Sequence, residues 1–205
     1  MFKEILYENQ LNLIGILKTF SRSFYLAGGT AIALQLGHRK SLDFDLFSSK
    51  KIENTKILMK LKESGYSVDR ILVDNKGEEL TIISGGVKIT FLYYPFQVER
   101  KLSFEGISLP DILTLGAMKF YTLGRRGKWK DYVDIYHILS SGYTLKEISQ
   151  IAERIFQGGY NEKLLREQLC YFEDIDYTEE IEYRGKGTTN GEVEKYLCDK
   201  AINEG

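Results

Sequence analysis

The chain has 205 residues, 28 Lys+Arg against 29 Asp+Glu and a formal net charge of −1. That balance excludes a globally basic nucleic-acid binder and an acidic disordered chain, although it leaves local patches open. With 43% hydrophobic and 13% aromatic residues there is material for a real core, and two prolines against nineteen glycines favour long regular elements punctuated by tight turns.

In chain order, apolar residues at helical spacing predict a helix over 3–20. The run Phe24-Tyr25-Leu26-Ala27 predicts a strand stopped by Gly28-Gly29, and the Ala/Leu-rich stretch from Thr30 to Leu36 a helix closed by Gly37. Alternation from Leu42 to Phe47 has the period of a strand, with Leu42, Phe44 and Leu46 turned inward. A helix is expected over Glu53–Ser64 and strands over Tyr66–Val73 and Leu80–Ile83. Gly85-Gly86 between β-branched runs predicts a two-residue hairpin into a strand over Val87–Tyr94. Beyond Pro110 the texture becomes helical, with helices predicted over Asp111–Leu123, Lys130–Leu139, Leu145–Phe156 and Asn161–Phe172, and a short last helix after a loop. The expected class is therefore α+β: an α/β core over 1–104, then a helical domain over 105–205 that packs on it to form a cleft.

No apolar run approaches the ~20 residues that span a bilayer, and Met1-Phe2-Lys3-Glu4 mixes acid and base without an apolar leader, so a cytoplasmic location and no membrane partner are expected. Cys170 and Cys198 stand in no metal-ligand spacing and are expected to be separate reduced thiols.

Three segments carry chemistry. Gly28 and Gly29 lie between a strand and a helix, where a backbone approaches a bulky ligand closely and free N–H groups face phosphate; Thr30 caps that helix or touches a phosphate oxygen. The alternative is a plain strand–turn–helix corner. Asp43-Phe44-Asp45 puts two carboxylates on one strand face, an arrangement suited to Mg²⁺ or Mn²⁺, or to a solvated edge strand. Between them, Arg39 can balance phosphate charge, while His38 and Lys40 read as a solvated turn. In the helical half, Gly124-Arg125-Arg126-Gly127-Lys128-Trp129-Lys130 holds four basic residues and no acid, and Asp131 and Asp134 share one face of the helix that follows. Trp129 with these cations could grip RNA by stacking and charge, or the loop could anchor pyrophosphate. Residues 173–182 hold six acids and no base, and read as a solvated helix end or as a docking strip for a basic partner.

The stretch from Leu26 to Phe47, with Asp111 through Ala117-Met118-Lys119 to Lys130-Asp131-Tyr132-Val133-Asp134-Ile135-Tyr136, resembles the two signatures of the AbiEii/AbiGii toxin-type nucleotidyltransferases. The resemblance covers residues 22–140. It implies a polymerase-β-like nucleotidyltransferase core with a mixed sheet, followed by a helical C-terminal domain. It further implies that Gly28, Gly29, Thr30, Arg39, Ser41, Arg125 and Arg126 hold a nucleoside triphosphate, that Asp43 and Asp45 bind Mg²⁺ (or Mn²⁺), and that Lys119 contacts phosphate. Asp131 matches the family's later acid, with Asp134, Lys128 and Lys130 in support. Partners implied are an RNA or tRNA acceptor and an antitoxin encoded beside the gene. One departure is visible: the strand Val87-Lys88-Ile89-Thr90-Phe91-Leu92 lacks the third acid common in polymerase-like enzymes, a carboxylate that Asp131 could supply from the helical half. Two rival readings stand beside transfer to RNA. One is a nucleotide-binding module with little turnover; the other is a small-molecule nucleotidyltransferase of the antibiotic-modifying type.

Overall fold

The computed structural model describes residues 1–123 and 125–204. Gly124, the first residue of the basic stretch, lies outside the described residues.

The expected helix over 3–20 is three pieces: a 3-10 turn at Lys3–Ile5, then α1 (Glu8–Asn12) and α2 (Gly15–Phe20). The breaks have local causes. Leu6 and Tyr7 are extended, with the Gln10 side chain accepting from the Tyr7 N–H, and Leu13 and Ile14 close tight turns onto Gln10 and Leu11. β1 (Tyr25–Ala27) leads into α3 (Gly28–Leu36), which stops at Gly37 in the left-handed conformation, φ 68°. β2 (Asp43–Ser48) is followed by α4 (Asn54–Glu63), β3 (Arg70–Asn75), β4 (Glu79–Ser84) and β5 (Val87–Tyr93). Gly85 and Gly86, φ 52° and 74°, form the two-residue turn between β4 and β5, both at angles glycine tolerates best.

These five strands form one mixed sheet in the order β1-β2-β5-β4-β3, with β2 and β5 parallel and the other pairs antiparallel. β2 and β5 are central, and β2 alternates half-buried Asp43, Asp45 and Phe47 with buried Phe44, Leu46 and Ser48. Leu42 departs from the expected inward pattern: it precedes the strand and is 63% exposed. β3 is an exposed edge, four residues later than the start predicted for it.

A hairpin that periodicity did not reveal, β6 (Leu102–Phe104) and β7 (Ile107–Leu109), packs on β1 and α2. Three-residue strands are too short to show a period. The boundary expected at 104/105 falls inside its turn, where Glu105 and Gly106 have φ of 47° and 84°.

The helical part comprises α5 (Ile112–Leu123), α6 (Trp129–Ser140), α7 (Leu145–Phe156), α8 (Glu162–Gln168) and α9 (Asn190–Asn203). Asp111 caps α5 by accepting from the Thr114 N–H at 2.9 Å; Thr144 with Glu147, and Thr189 with Glu192, box the starts of α7 and α9. One continuous apolar cluster joins the sheet to α3, α5, α6 and α7, so the two halves share a core. Packing of α8 on α9 brings Cys170 and Cys198 to a Cα separation of 4.6 Å, paired as a disulfide, which corrects the expectation of two separate thiols. No helix among the described residues is long and apolar enough to cross a membrane.

Candidate active site

A cleft of about 540 Å³ opens over the β2 face that carries Asp43 and Asp45. Its floor is β2, β5 and β4; its walls are the α3 start, α5 and the segment entering α6.

The glycine pair is required by side chains of this chain. Gly28 opens α3 at φ 68°, and a Cβ there would collide with the Asp45 carboxylate. A Cβ on Gly29 would collide with the Arg39 guanidinium. Both glycines line the cleft, so the close approach expected for a ligand is made first by Asp45 and Arg39. Gly28→Ala is therefore expected to lower stability by at least ~1 kcal/mol through the left-handed backbone alone, and to displace Asp45. Thermal unfolding together with a transfer assay checks both effects.

Thr30 is 1% exposed and does not line the cleft. Its hydroxyl bonds Ser41 Oγ at 2.7 Å and the Asp43 carbonyl, tying α3 to the start of β2. This corrects its expected phosphate contact to a scaffold role. Ser41 does line the cleft.

Parallel pairing sets Lys88 beside Asp43 and Thr90 beside Asp45, so the β5 neighbours of the carboxylates are a cation and a hydroxyl. Lys88 Nζ lies 2.7 Å from Asp43 Oδ2. Among the described residues Asp45 has no such partner: burial and the Asp43 charge push its carboxyl above the ordinary aspartate value. Among the described residues no group of three or more His, Cys, Asp or Glu is placed to hold a metal ion.

The α6 aspartates lie behind this face. Asp131 and Asp134 are each fully buried and do not line the cleft. Asp134 accepts from Arg39 Nε at 2.7 Å and Nη2 at 3.0 Å, lies 2.9 Å from His38 Nε2 and is 3.0 Å from Lys119 Nζ. Burial alone would raise it; Arg39 and Lys119 outweigh that and hold it well below the usual carboxylate range. Asp131 pairs with Lys119 and accepts from Arg126 Nε at 3.0 Å. Asp131 is thus consumed in anchoring two cations, which corrects its expected service as the third catalytic carboxylate. Lys119, 6% exposed, reaches the cleft from this anchor, and so does Arg39, also 6% exposed. His38 is a buried partner of Asp134 and not a solvated turn residue.

The basic stretch divides. Arg126, Lys128 and Lys130 line the cleft. Arg125 turns away to donate to the Tyr121 carbonyl at 2.7 Å while its guanidinium lies over the Tyr121 ring, which corrects its assignment to the nucleotide. Trp129 is 4% exposed, stacked on Tyr177 with ring centroids 4.8 Å apart, and so offers no platform for RNA.

The acidic segment 173–182 is not a helix end. It folds back on the basic stretch: Trp129 N–H donates to the Asp176 carbonyl at 3.0 Å and Asp176 N–H to the Gly127 carbonyl at 2.7 Å. Glu179 enters the cleft wall and pairs with both Lys128 and Lys130, which hold its carboxyl down to about 2 against its own burial. Glu182 continues the strap to Lys40 and the Tyr7 hydroxyl. Because Glu179 occupies two cations of the cleft, Glu179→Gln is expected to tighten binding of a nucleoside triphosphate several-fold, read by titration of a fluorescent analogue.

Sequence reasoning missed Glu79 and Thr81, which reach the cleft from β4, and Glu179. Thr81 had a signal: the Gly85-Gly86 turn fixes the register, setting Thr81 opposite Thr90, itself beside Asp45. Glu179 had none, since a loop carries no period.

A mixed sheet with paired carboxylates on its central strand, a glycine turn beside them and a lysine anchored on the facing helix is the architecture of a nucleotidyltransferase. The profile of the family described as "Nucleotidyl transferase AbiEii toxin, Type IV TA system" matches residues 15–185. The chain belongs to this family of nucleotidyltransferase toxins and is an enzyme of the nucleotidyltransferase class. It is 29% identical over 157 residues to an uncharacterized protein of Aquifex aeolicus (strain VF5), covering 74% of each chain. In fold it is similar to MenT4, a nucleotidyltransferase toxin from Mycobacterium tuberculosis H37Rv: TM-score 0.61 and 12% identity, over 95% of this chain and 82% of that one. JHP933 from Helicobacter pylori matches at TM-score 0.50 and 20% identity, over 80% of this chain and 74% of the other.

Proposed function

We propose that the protein moves a nucleoside monophosphate from a nucleoside triphosphate to an acceptor hydroxyl on RNA, tRNA included, as the toxin partner of an antitoxin. Its proposed place is the cytoplasm. The observation that carries the reading is the Asp43–Asp45 face of β2, opening onto a cleft also lined by Lys119, Arg126, Lys128 and Lys130.

The donor set fits a divalent cation. Two hard oxygen donors share one strand face, and among the described residues Asp43 is ion-paired with Lys88 while Asp45 makes no ion pair. Asp43 and Asp45 would hold Mg²⁺, which supplies charge neutralisation on the phosphates. The chain's own residues do the remainder. Lys119 and Arg126, fixed by Asp131, present positive charge towards the triphosphate, and Lys128 and Lys130 extend that charge along the cleft. In the reaction the acceptor oxygen bonds to the α-phosphorus as its bond to pyrophosphate breaks, and the acceptor proton passes to water or a carboxylate. Positioning and electrostatics are the protein's main contribution.

Lys88 beside Asp43, where a third acid would stand, favours one second reading: a nucleotide-binding module with little turnover. Incubation with Mg²⁺, each α-labelled triphosphate and total tRNA or total RNA tests the proposal. Label on RNA is the expected result; retained triphosphate binding with no labelled product supports the second reading instead.

A further inference from the structure

A second concavity, of about 410 Å³, lies beyond the end of β2 and is lined by Arg22, Lys50, Lys51, Lys56, Lys60 and Arg100, with Glu53 the sole acid in its lining. Six cations against one acid is not what a chain of net charge −1 supplies on average. They come from separate segments: the loop before β1, the β2–α4 connection, α4, and the stretch before β6. Lys51 pairs with Glu78 and Lys56 with Glu53, whereas Arg22, Lys50, Lys60 and Arg100 make no ion pair among the described residues. All six are exposed. Within the chain's own acidic segment, Glu179 and Glu182 are committed elsewhere, to Lys128, Lys130 and Lys40.

The groove meets the catalytic strand at its far end. Phe47 lines the cleft and Ser48, the next residue, lines the groove, so the two concavities meet β2 from opposite faces. The buried Tyr25 ring packs on Phe47 with centroids 6.0 Å apart, and the Arg100 guanidinium sits 5.5 Å from the Tyr25 centroid.

We infer that this groove binds the phosphodiester backbone of the acceptor nucleic acid, outside the part that enters the cleft. Clustered Lys and Arg with no paired acid are the footprint of a polyanion, and phosphate contacts of this kind set register without reading sequence. The word acceptor rests on the proposed transfer reaction; binding of the backbone does not.

The test is fluorescence anisotropy with a labelled RNA hairpin bearing a four-nucleotide single-stranded 3′ tail, and its DNA counterpart, titrated with full-length protein across a salt series. The triple variant Lys50→Glu, Lys60→Glu, Arg100→Glu is expected to weaken RNA binding at least ~10-fold and to flatten the slope of log K against log salt by about 2 to 3, near one unit per lost phosphate contact. Its affinity for a fluorescent nucleoside triphosphate is expected to stay within about two-fold of the parent. The neutral variant Lys50→Gln, Lys60→Gln, Arg100→Gln is expected to fall between, and serves should the reversal fail to fold. Equal losses for RNA and DNA mark recognition of the backbone alone; a larger loss for RNA adds a contact to the ribose. Unchanged affinity and salt slope in both variants, or no binding of either nucleic acid by the parent at low salt, overturns the inference. Groove-dependent RNA binding without any triphosphate binding would leave the groove standing and remove the transfer reaction.

Discussion

Asp43→Ala and Asp45→Ala are each expected to lower nucleotidyl transfer by on the order of 10³-fold or more, since either removes a proposed metal ligand at the point where charge develops. The two positions should differ in stability. Asp43 is paired with the half-exposed Lys88, so its loss should cost little. Asp45 is held unpaired against burial and the charge of Asp43, with its carboxyl pushed upward. A carboxyl whose folded pKa is raised works against folding as pH rises through that pKa, because its ionised form is the disfavoured one. Asp45→Asn removes the charge and keeps the shape, so at pH 7 it is expected to abolish transfer while holding or raising Tm by a few degrees. An inactive, more stable variant marks a site that spends stability on function. Loss of activity accompanied by a large fall in Tm would place Asp45 in the scaffold instead. Transfer kinetics and calorimetry on the same preparations separate these outcomes.

Asp134→Ala is expected to have the largest effect on stability, about 3–5 kcal/mol, because it strands the buried cations that Asp134 holds. Arg39 and Lys119 would remain nine-tenths buried or more without that carboxylate, and His38 would lose its partner. For a chain of this length the loss corresponds to a fall in Tm of roughly 6–20 °C. The effect should not be additive: in an Arg39→Met background, with one of the stranded charges already removed, Asp134→Ala should cost less, and a double-mutant cycle measures the difference. A fall below about 2 °C for the single variant would contradict the assignment of Asp134 as the keystone of the cluster. Asp131→Ala should cost less than Asp134→Ala, because Arg126 is half exposed and can take water in place of the carboxylate. Its main consequence should be weaker triphosphate binding as Lys119 and Arg126 lose their anchor.

Much of this site was legible in the chain. The alternation at Asp43-Phe44-Asp45 places two carboxylates on one face because a strand has period two, and the Gly85-Gly86 turn sets a register that brings Lys88 beside Asp43. The glycine pair pointed to close approach, but not to what approaches: Asp45 and Arg39 fill the space a ligand was expected to take. Asp131 and Asp134 were legible as one helical face, and the face was buried because three cations converge on it, Lys119 from α5, Arg39 from the turn before β2, and Arg126, together with the His38 ring. Contacts across about a hundred residues leave no local signal. Trp129 misled for a similar reason. In sequence it stands among four cations, whereas in the fold its ring is covered by Tyr177 from the returning acidic segment.

That segment also recasts the near-zero net charge. The acids of 173–182 and the bases of 126–130 meet in space, through Glu179 on Lys128 and Lys130. The basic groove at Arg22, Lys50, Lys60 and Arg100 remains as positive charge without an ion-pair partner among the described residues.

The central claim is that the bond made is to the α-phosphorus, with pyrophosphate leaving. It is tested most directly by parallel reactions containing Mg²⁺, total RNA and the same triphosphate labelled either at the α- or at the γ-phosphate. The account predicts that α-label becomes covalently attached to RNA, that γ-label appears only in pyrophosphate, and that Asp45→Asn does neither. Transfer of γ-label to any acceptor, or equal α-labelling by Asp45→Asn, would contradict it.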